Sequence, residues 1–297
     1  MITWIQNHFR TITVFMSDKG KKKIGVISMA RNDDFFIPKW VDYYGEQFGK
    51  ENLFLVLDGF DQKIPEQAND INVIKVPHIS LGRAEGDRNR ARLVSSFAKS
   101  LFYRYDRVIA HDIDEFLVLD PQTGMNLDAY LQKNFSTKSL SGLGLDVGQH
   151  LDVEQKLDPS RPFLEQRSFA HVSARYTKPV VANSPLTWGS GFHRVKGKNF
   201  HIDPNLFLFH FGMVDFKRAK GKTNDVSRID AGWGKHLDRR YQLFELITKG
   251  QAIDGDSFFT LARRRQSGFR PIFAWNKPGT LKEKPVIKIP ERFRSVI

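Results

Sequence analysis

The sequence contains no cysteine, which excludes disulfide bonds, zinc–thiolate centres and cysteine nucleophiles. The absence of cysteine is consistent with a reducing compartment, and we expect a cytoplasmic protein. The chain of 297 residues also lacks an uninterrupted apolar run long enough to cross a bilayer. With 40% hydrophobic residues, the sequence predicts one large globular domain or a domain with an appendage.

Three motifs that mark common enzyme classes are also missing. The sequence has no G-x-x-x-x-G-K loop, no G-x-G-x-x-G after its first apolar segment and no G-x-S-x-G turn. Their absence argues against a P-loop nucleotide hydrolase, a nicotinamide dehydrogenase and a serine hydrolase.

Acidic residues are scarcer than basic ones, with 33 Asp and Glu against 46 Lys and Arg and a net charge of +13. Such a balance attracts nucleic acid, anionic lipid or phosphate-bearing small molecules without distinguishing among them. The N-terminal stretch Met1 to Met16 has no clean signal-peptide core. We predict that residues 1–23 form a leader, either loosely packed or held as a short amphipathic helix at the inner face of a membrane.

The first part of the chain alternates apolar runs with segments of helical periodicity. Predicted strands are Lys23–Ala30, Leu53–Leu57, Val73–Val76 and Val108–Ala110. A helix is predicted from Pro38 to Gly49 and another over Arg83–Tyr105. This alternation predicts an α/β fold with a mostly parallel sheet flanked by helices.

The pattern changes after Pro121. We expect a short helix in Met125–Phe135 and a glycine-rich strand at Leu140–Val147. Further strands are predicted in Leu164–Val181, Phe192–Val195 and Leu206–Phe211, then a basic mobile loop at Lys217–Arg228. Helices are predicted around His236–Thr248 and Ser257–Arg265, followed by a Pro- and Lys-rich tail at Lys277–Ile297.

The strongest local feature is the acidic stretch that separates two apolar runs within Arg107–Leu119. His111, Asp112, Asp114 and Glu115 stand there without a Gly or Pro to form an ordinary surface loop. Carboxylates at the end of a buried strand repel one another and cost desolvation, which a bound cation relieves. Side chains at i and i+2 of an extended chain point the same way, so Asp112 and Asp114 suit Mg²⁺ or Mn²⁺. A solvated turn between two strands is the alternative interpretation.

Polar residues also follow the other predicted strands. Arg31, Asn32 and Asp33 end the first strand, and Asp58 ends the second. Ligands of parallel α/β sheets bind beyond the carboxyl ends of the strands. We therefore expect these residues to share one site with Asp112.

Four segments occur in the order and spacing of an enzyme family: Ile27–Asp33, His111–Phe116, Lys178–His193 and Leu206–Phe211. Together they resemble a GT-A fold glycosyltransferase, and more narrowly the bacterial family-2-like group related to glycosyltransferase family 92. The D-I-D-E-F stretch within His111–Phe116 is the most specific of them. The resemblance implies a GT-A catalytic domain over residues 24–216, with residues 217–297 packed on it as a basic loop, helical extension and tail.

The same resemblance implies an activity and a metal. A sugar would pass from a nucleotide-sugar donor, expected to be a UDP-sugar, to a hydroxyl of a glycan, lipid-linked or protein acceptor. Asp112, Asp114 and His210 would hold Mn²⁺ or Mg²⁺ on the donor diphosphate, with Asp112 also contacting the donor. His210 lies among phenylalanines and fits a hydrogen-bonded core residue equally well. Nucleic acid is not an expected partner.

Further donor contacts follow from the resemblance. Arg31 and Asn32 would line the nucleotide pocket, and Asp58 would accept from the base or ribose unless Asp58-Gly59 is simply a turn. Lys178 would pair with phosphate charge and His193 would contact the substrate or diphosphate. The alternatives are a solvated lysine and a packing histidine.

The catalytic base is predicted to be Asp146, which ends the glycine-rich strand. An inverting mechanism, expected from the resemblance, needs a carboxylate that deprotonates the acceptor hydroxyl opposite the leaving group. Asp146 fits equally as a turn cap, and its competitors for the role are Asp152, Glu154 and Glu165. A lid over the diphosphate is predicted from Lys217, Arg218, Lys220 and Lys222, unless these charges are merely solvated.

Two other classes of protein remain open. A nucleotidyltransferase also places paired carboxylates and a metal at a strand end, but Ile24–Asp34 lacks the Gly- and Lys-rich signature expected of one. A non-enzymatic binder of polyanions or membrane surfaces would act through charge alone. It would not need acidic residues beside the sheet.

Overall fold

The structure is a computed structural model that describes residues 20–195, 200–223, 234–268 and 276–297. Met1 to Met16, in the predicted leader, lies outside the described residues. Among the described residues, no helix combines the length and the apolar character that a bilayer crossing requires.

The first part of the chain forms four parallel strands and two helices. In chain order these are β1 Ile24–Ala30, α1 Phe36–Phe48, β2 Leu53–Asp58, β3 Asn72–Val76, α2 Arg83–Leu101 and β4 Arg107–Ala110. The strands lie side by side in the order β3-β2-β1-β4, and Ile27 in β1 is paired with Phe54 on one side and Ala110 on the other. These pairings confirm the predicted parallel sheet. The prediction was possible because strands that are buried on both faces have near-continuous apolar sequences.

The second part extends this sheet with mostly antiparallel pairs. Its elements are β5 Glu115–Leu119, α3 Leu127–Leu131, β6 Ser139–Gly148, α4 Phe163–Gln166, β7 Phe169–Val172, β8 Val181–Ala182, β9 Ile202–Met213, α5 Phe216–Thr223, α6 Gly234–Lys249, β10 Ile253–Asp254, α7 Gly255–Ser267 and β11 Val286–Lys288. β8 joins β4 to β6, and both of its pairs are antiparallel. β9 runs parallel to β6 and antiparallel to β5. The architecture is therefore α/β with one large mixed sheet.

Two glycines of β6 allow other backbone to pass very close to the strand. A Cβ on Gly142 would lie 2.6 Å from the carbonyl carbon of Phe207, and a Cβ on Gly144 would lie 2.3 Å from the nitrogen of Thr177. The amide of Gly144 also donates to the hydroxyl of Thr177 at 2.9 Å. The glycine-rich sequence thus brings the segment around Thr177 against the sheet, beside the carboxyl end of β4.

Two segments have a different type of secondary structure from the one predicted. Residues 217–223 were expected in a mobile loop, but they belong to helix α5, whose first turn is held by Asp215: its side chain accepts from the amide of Arg218 at 2.8 Å. The rest of that predicted loop, with Asp225 to Arg228, lies outside the described residues. Phe192–Val195 is not a strand, because Ser190–Phe192 forms a single 3₁₀ turn and Val195 makes only an isolated bridge to Trp188.

One further expectation needs correction. In Leu164–Val181 only Phe169–Val172 and the start of β8 are strand, because Phe163–Gln166 forms a helical turn. The C-terminal tail is an integral part of the fold. β11 pairs with β7, and Phe293 is fully buried, with its ring 5.2 Å from that of Phe207.

The buried tail predicts a large effect of Phe293→Ala on stability. Removing a fully buried ring leaves a cavity, and we expect the free energy of unfolding to fall by about 3–5 kcal/mol. Urea denaturation measures this loss. The control is Arg294→Ala, because the side chain of Arg294 is 53% exposed, and it should change stability by less than about 0.5 kcal/mol. Equal effects of the two substitutions would contradict a packed tail.

Candidate active site

A cleft with a volume of about 830 Å³ opens at the carboxyl ends of the parallel strands. Eight of the nine residues predicted for the site line this cleft: Arg31, Asn32, Asp58, Asp112, Asp114, Lys178, His193 and His210. Asp146 is not among the described residues that form the wall. The position agrees with the general rule that ligands of open α/β sheets bind beyond these strand ends.

Asp112 is held by two cations from different parts of the chain. Its Oδ1 accepts from the guanidinium of Arg90 in α2, and its Oδ2 accepts from the ammonium of Lys178 at 2.7 Å. Burial alone would raise the pKa of Asp112, but Arg90 and Lys178 outweigh that effect and hold the pKa well below its ordinary value. Asp112 is therefore a carboxylate with both oxygens engaged.

Lys178 is buried, and its ammonium contacts Glu115 as well as Asp112. The interpretation of Lys178 as a solvated lysine is therefore wrong. Burial lowers the pKa of Lys178, yet the two carboxylates reverse this and raise it. Burial raises the pKa of Glu115, which is fully enclosed, although Lys178 opposes the shift. One ammonium thus fixes the carboxylates on both sides of the turn between β4 and β5.

His210 lies between two further carboxylates, those of Asp114 and Asp146. In β9 it lies opposite Glu115 of β5 and Asp146 of β6. Its Nδ1 is 2.7 Å from Oδ1 of Asp146, and its Nε2 is 3.4 Å from Oδ2 of Asp114. Burial would lower the pKa of His210, but Asp114 and Asp146 together raise it to about 10. Without a bound ligand the ring is an imidazolium between two carboxylates.

Arg240 of α6 completes this cluster and was not predicted. Its Nη1 and Nη2 lie 3.3 and 3.4 Å from the two oxygens of Asp146, and it donates to the hydroxyl of Tyr176. The Tyr176 ring stacks on His210 with the centroids 3.9 Å apart. No local pattern separates Arg240, or Arg90 in α2, from the other arginines of their helices, so the sequence offers no signal for either residue.

The opposite end of the cleft is formed by the loops after β1 and β2. Arg31 donates to the backbone carbonyl of Asp58 and to the carboxylate of Asp61 at 3.1 Å. The Asp58 carboxylate lies 3.0 Å from Nδ1 of His78. Asn32 has a positive φ of 52° and accepts from the amide of Gln62 at 2.8 Å. Asp58 is the last residue of β2, directly before a turn that begins at Gly59, and it also lines the cleft.

His193 lies on the cleft wall in neutral form. Its Nδ1 donates to the carbonyl of Arg175 at 2.9 Å, and burial lowers its pKa to about 3. The predicted packing role and the predicted ligand role are compatible with this position, because Nδ1 is fixed by backbone while the residue faces the cleft.

The donor chemistry of Asp114 and His210 fits a divalent cation. One carboxylate oxygen and one imidazole nitrogen converge on the cleft, and Asp146 holds the other ring nitrogen as outer-sphere carboxylates do for metal-binding histidines. Within the described parts of the chain, no three His, Asp or Glu side chains form a ready metal-ligand group. The protein would therefore supply few ligands, and water or phosphate oxygens would complete the coordination.

No protein-family model matches the chain, and a search of curated proteins gives no match either. The assignment of function therefore depends on the geometry of the cleft and on the residues that line it.

The shared ammonium predicts that Lys178→Met destabilises the protein strongly. The substitution leaves the buried Glu115 without its cation and Asp112 with Arg90 alone, and breaking a buried pair costs about 3–5 kcal/mol. Urea denaturation at pH 7 measures the change. The exposed Lys63 provides the control, Lys63→Met, for which we expect almost no loss. An unchanged unfolding midpoint for Lys178→Met would show that the ammonium does not hold the two acids.

His210 predicts a definite dependence of stability on pH. Its folded pKa of about 10 lies above the ordinary value of about 6.5. The ion pairs therefore stabilise the fold fully below pH 6.5, and this contribution is lost as the pH rises through 10. With a chelator present, the stability difference between the native protein and His210→Gln should shrink from pH 6 to pH 10. His201→Gln, at an exposed site, is the control. A difference that stays constant across this range would contradict the prediction.

Proposed function

We propose that the protein is a metal-dependent glycosyltransferase that moves a sugar from a nucleotide-sugar donor to a hydroxyl acceptor in polysaccharide, glycolipid or glycoprotein assembly. The observation that carries the proposal is one cleft in which the acidic pair Asp112 and Asp114 follows Asp58 along the sheet edge and meets His210. A UDP-sugar is the proposed donor.

The spacing of the strands supports a nucleoside site between Asp58 and Asp112. β2 and β4 are separated by β1, so their carboxyl ends lie about 10 Å apart at the usual strand spacing of about 4.8 Å. This gap accommodates one nucleoside. Asp58, beside His78, would accept from the base or the ribose, and Arg31 with Asn32 would shape the loop around it.

The diphosphate would lie over Asp114 and His210. These two residues would hold Mn²⁺ or Mg²⁺, which would supply Lewis-acid stabilisation of the charge on the departing nucleoside diphosphate. Arg90 is partly exposed to the cleft while it holds Asp112, so its guanidinium would add a second positive partner for phosphate oxygens. Asp112 then acts by positioning Arg90 and Lys178 rather than by binding metal directly.

In the transfer, an acceptor oxygen attacks the anomeric carbon while the bond from that carbon to the diphosphate oxygen breaks. An inverting reaction needs a base for the acceptor proton. The role predicted for Asp146 stays a prediction, but its place behind His210 and Arg240 favours an orienting role. By accepting from Nδ1, Asp146 fixes the imidazole so that Nε2 faces Asp114 and the cleft.

A nucleotide panel distinguishes this proposal from the other classes. We expect UDP with Mn²⁺ to raise the melting temperature more than UDP or Mn²⁺ alone, because ligands that bind only the folded state stabilise it. Stabilisation by nucleoside triphosphates but not by diphosphates would favour a nucleotidyltransferase. Absence of any nucleotide effect, with steeply salt-dependent binding of polyanions, would favour a non-enzymatic binder.

Asp114→Asn tests the metal site directly. We expect the variant to fold and to lose the Mn²⁺-dependent part of UDP binding, with an affinity at least about tenfold weaker. Donor hydrolysis that depends on Mn²⁺ should fall in parallel. Asp87→Asn, which changes another aspartate of the cleft wall on α2, is the matched control and should keep the metal effect. Unaltered Mn²⁺ dependence in Asp114→Asn would contradict the assignment of this residue.

A further inference from the structure

The loops at the carboxyl ends of the strands carry much of the exposed apolar surface. In the part of the chain that the structure describes, nine large apolar side chains are exposed. Five of them lie in the loops that follow β2, β3 and β6: Phe60, Ile64, Ile79, Leu151 and Val153. β6 runs parallel to β4, because both are antiparallel to β8. All three loops therefore leave the sheet at the edge where the cleft opens, and a group of exposed apolar side chains on one face marks an interaction site.

The turn after β2 directs its polar side chain inward and its aromatic side chain outward. The amide of Gly59 donates to the carbonyl of Val76 at 2.8 Å, and the amide of Gln62 donates to the carbonyl of Gly59 at 3.3 Å. The buried side chain of Gln62 donates to the side-chain oxygen of Asn32 at 2.8 Å. Phe60 lies within this turn and is 67% exposed. Backbone bonds thus hold an aromatic ring in solvent while an amide side chain is buried.

The loop after β6 has the same inverted arrangement. The buried side chain of Gln149 donates to the carbonyl of Glu154 at 2.9 Å. The carboxylate of Glu154 is directed inward and accepts from the amide of Ser168 at 2.6 Å. Leu151 and Val153 point outward, and Val153 is 63% exposed. Polar groups of this loop therefore satisfy backbone inside the protein, and its apolar groups are left for a partner.

The two loops stand on opposite sides of the cleft. β2 and β6 are separated by β1, β4 and β8, so they lie about 19 Å apart at the usual strand spacing of about 4.8 Å. Asp112, which follows β4, lies between them. Two apolar tips with an open cleft between them match an extended flat surface better than a single peptide or helix.

Exposed lysines accompany the apolar tips. Lys63 follows Phe60, Lys156 follows Val153, and Lys217 is in α5 beyond the carboxyl end of β9. None of the three lysines makes an ion pair within the described chain. The exposed Asp152 offsets one of these charges. The face is therefore apolar at its tips and positively charged around them.

We propose that this face docks on a membrane surface that contains anionic lipids. Lysines near such a surface gain about fivefold in affinity each, and apolar side chains enter the boundary between headgroups and acyl chains. The cleft would then open toward the bilayer and receive a lipid-linked acceptor without extracting it. This last consequence rests on the proposed function, whereas the docking itself does not.

The absence of native cysteine allows a single fluorescent probe to be attached at a chosen position. Phe60→Cys and Val153→Cys, labelled with NBD in the full-length protein, report on the proposed face. Tyr103→Cys is the matched control, because Tyr103 is 84% exposed and lies between α2 and β4, at the amino ends of the strands. Each labelled protein is mixed with phosphatidylcholine vesicles that contain or lack phosphatidylglycerol, without nucleotide or metal.

We expect a blue shift and stronger emission at positions 60 and 153 with the anionic vesicles, and no change at position 103. The probes identify the face that touches the bilayer even where another segment of the chain also binds it. The result is independent of sugar transfer, because no donor is present.

Unlabelled variants measure how much each group contributes to binding in vesicle sedimentation. Phe60→Ser combined with Val153→Ser should weaken binding at least about tenfold through lost apolar burial. Its urea midpoint should stay unchanged, because both side chains are exposed. Replacing Lys63, Lys156 and Lys217 together by Gln should weaken binding to anionic vesicles at least about tenfold. Lys99→Gln, at an exposed site in the last turn of α2, is the control and should bind as the native protein does.

Several results would overturn the proposal. These are unchanged emission at positions 60 and 153 with anionic vesicles, or a shift at position 103 instead. A shift that grows with protein concentration without vesicles would indicate contact between copies of the chain and would also overturn it. So would binding to double-stranded DNA that is as tight as vesicle binding and leaves both probes unchanged.

The docking and the proposed function fail separately. Insertion of both probes without any nucleotide effect on the melting temperature supports docking and counts against the glycosyltransferase assignment. Stabilisation by UDP with Mn²⁺, together with no probe response to vesicles, overturns docking alone.

Discussion

A single buried ammonium, that of Lys178, organises the centre of the molecule. It holds Asp112 and Glu115 on either side of the turn between β4 and β5, where two enclosed carboxylates would otherwise repel each other. Arg90 supplies the second positive charge on Asp112. Because these contacts lie within the protein itself, they hold the carboxylates of the acidic motif in defined positions.

The ammonium reaches this position because of glycines elsewhere in the chain. Gly144 in β6 has no Cβ, and the backbone around Thr177 passes through the space that a Cβ would fill. His210 is fixed in a similar way, since β9 is paired with β5 on one side and β6 on the other. A shift of one residue in that register would turn the imidazole away from Asp114. The same backbone contacts thus fix the strand pairing and the positions of the Lys178 ammonium and the His210 imidazole in the cleft.

The sequence allowed the parallel half of the sheet and most of the cleft to be predicted, because both follow from local patterns. Apolar runs predict buried strands, and polar residues at the carboxyl ends of those strands predict a ligand-binding site. Arg90 and Arg240 could not be found in this way, since each meets its partner through a helix whose orientation depends on the whole fold. Asp146 was predicted as the catalytic base, but it lies behind His210 and outside the cleft wall, because burial of a side chain cannot be read from its order in the chain. Helix α5 was missed because its run of Lys and Arg hides the buried Ala219.

The contribution of α6 and β11 to the core has a consequence for how the protein is made. The strands from β1 to β4 can pair as soon as they leave the ribosome, since their partners are close in sequence. Arg240 and the strand that pairs with β7 are synthesised after all four parallel strands. A nascent chain would therefore carry Asp146 before its partner Arg240, and the wall of the cleft would be complete only after α6 has been synthesised.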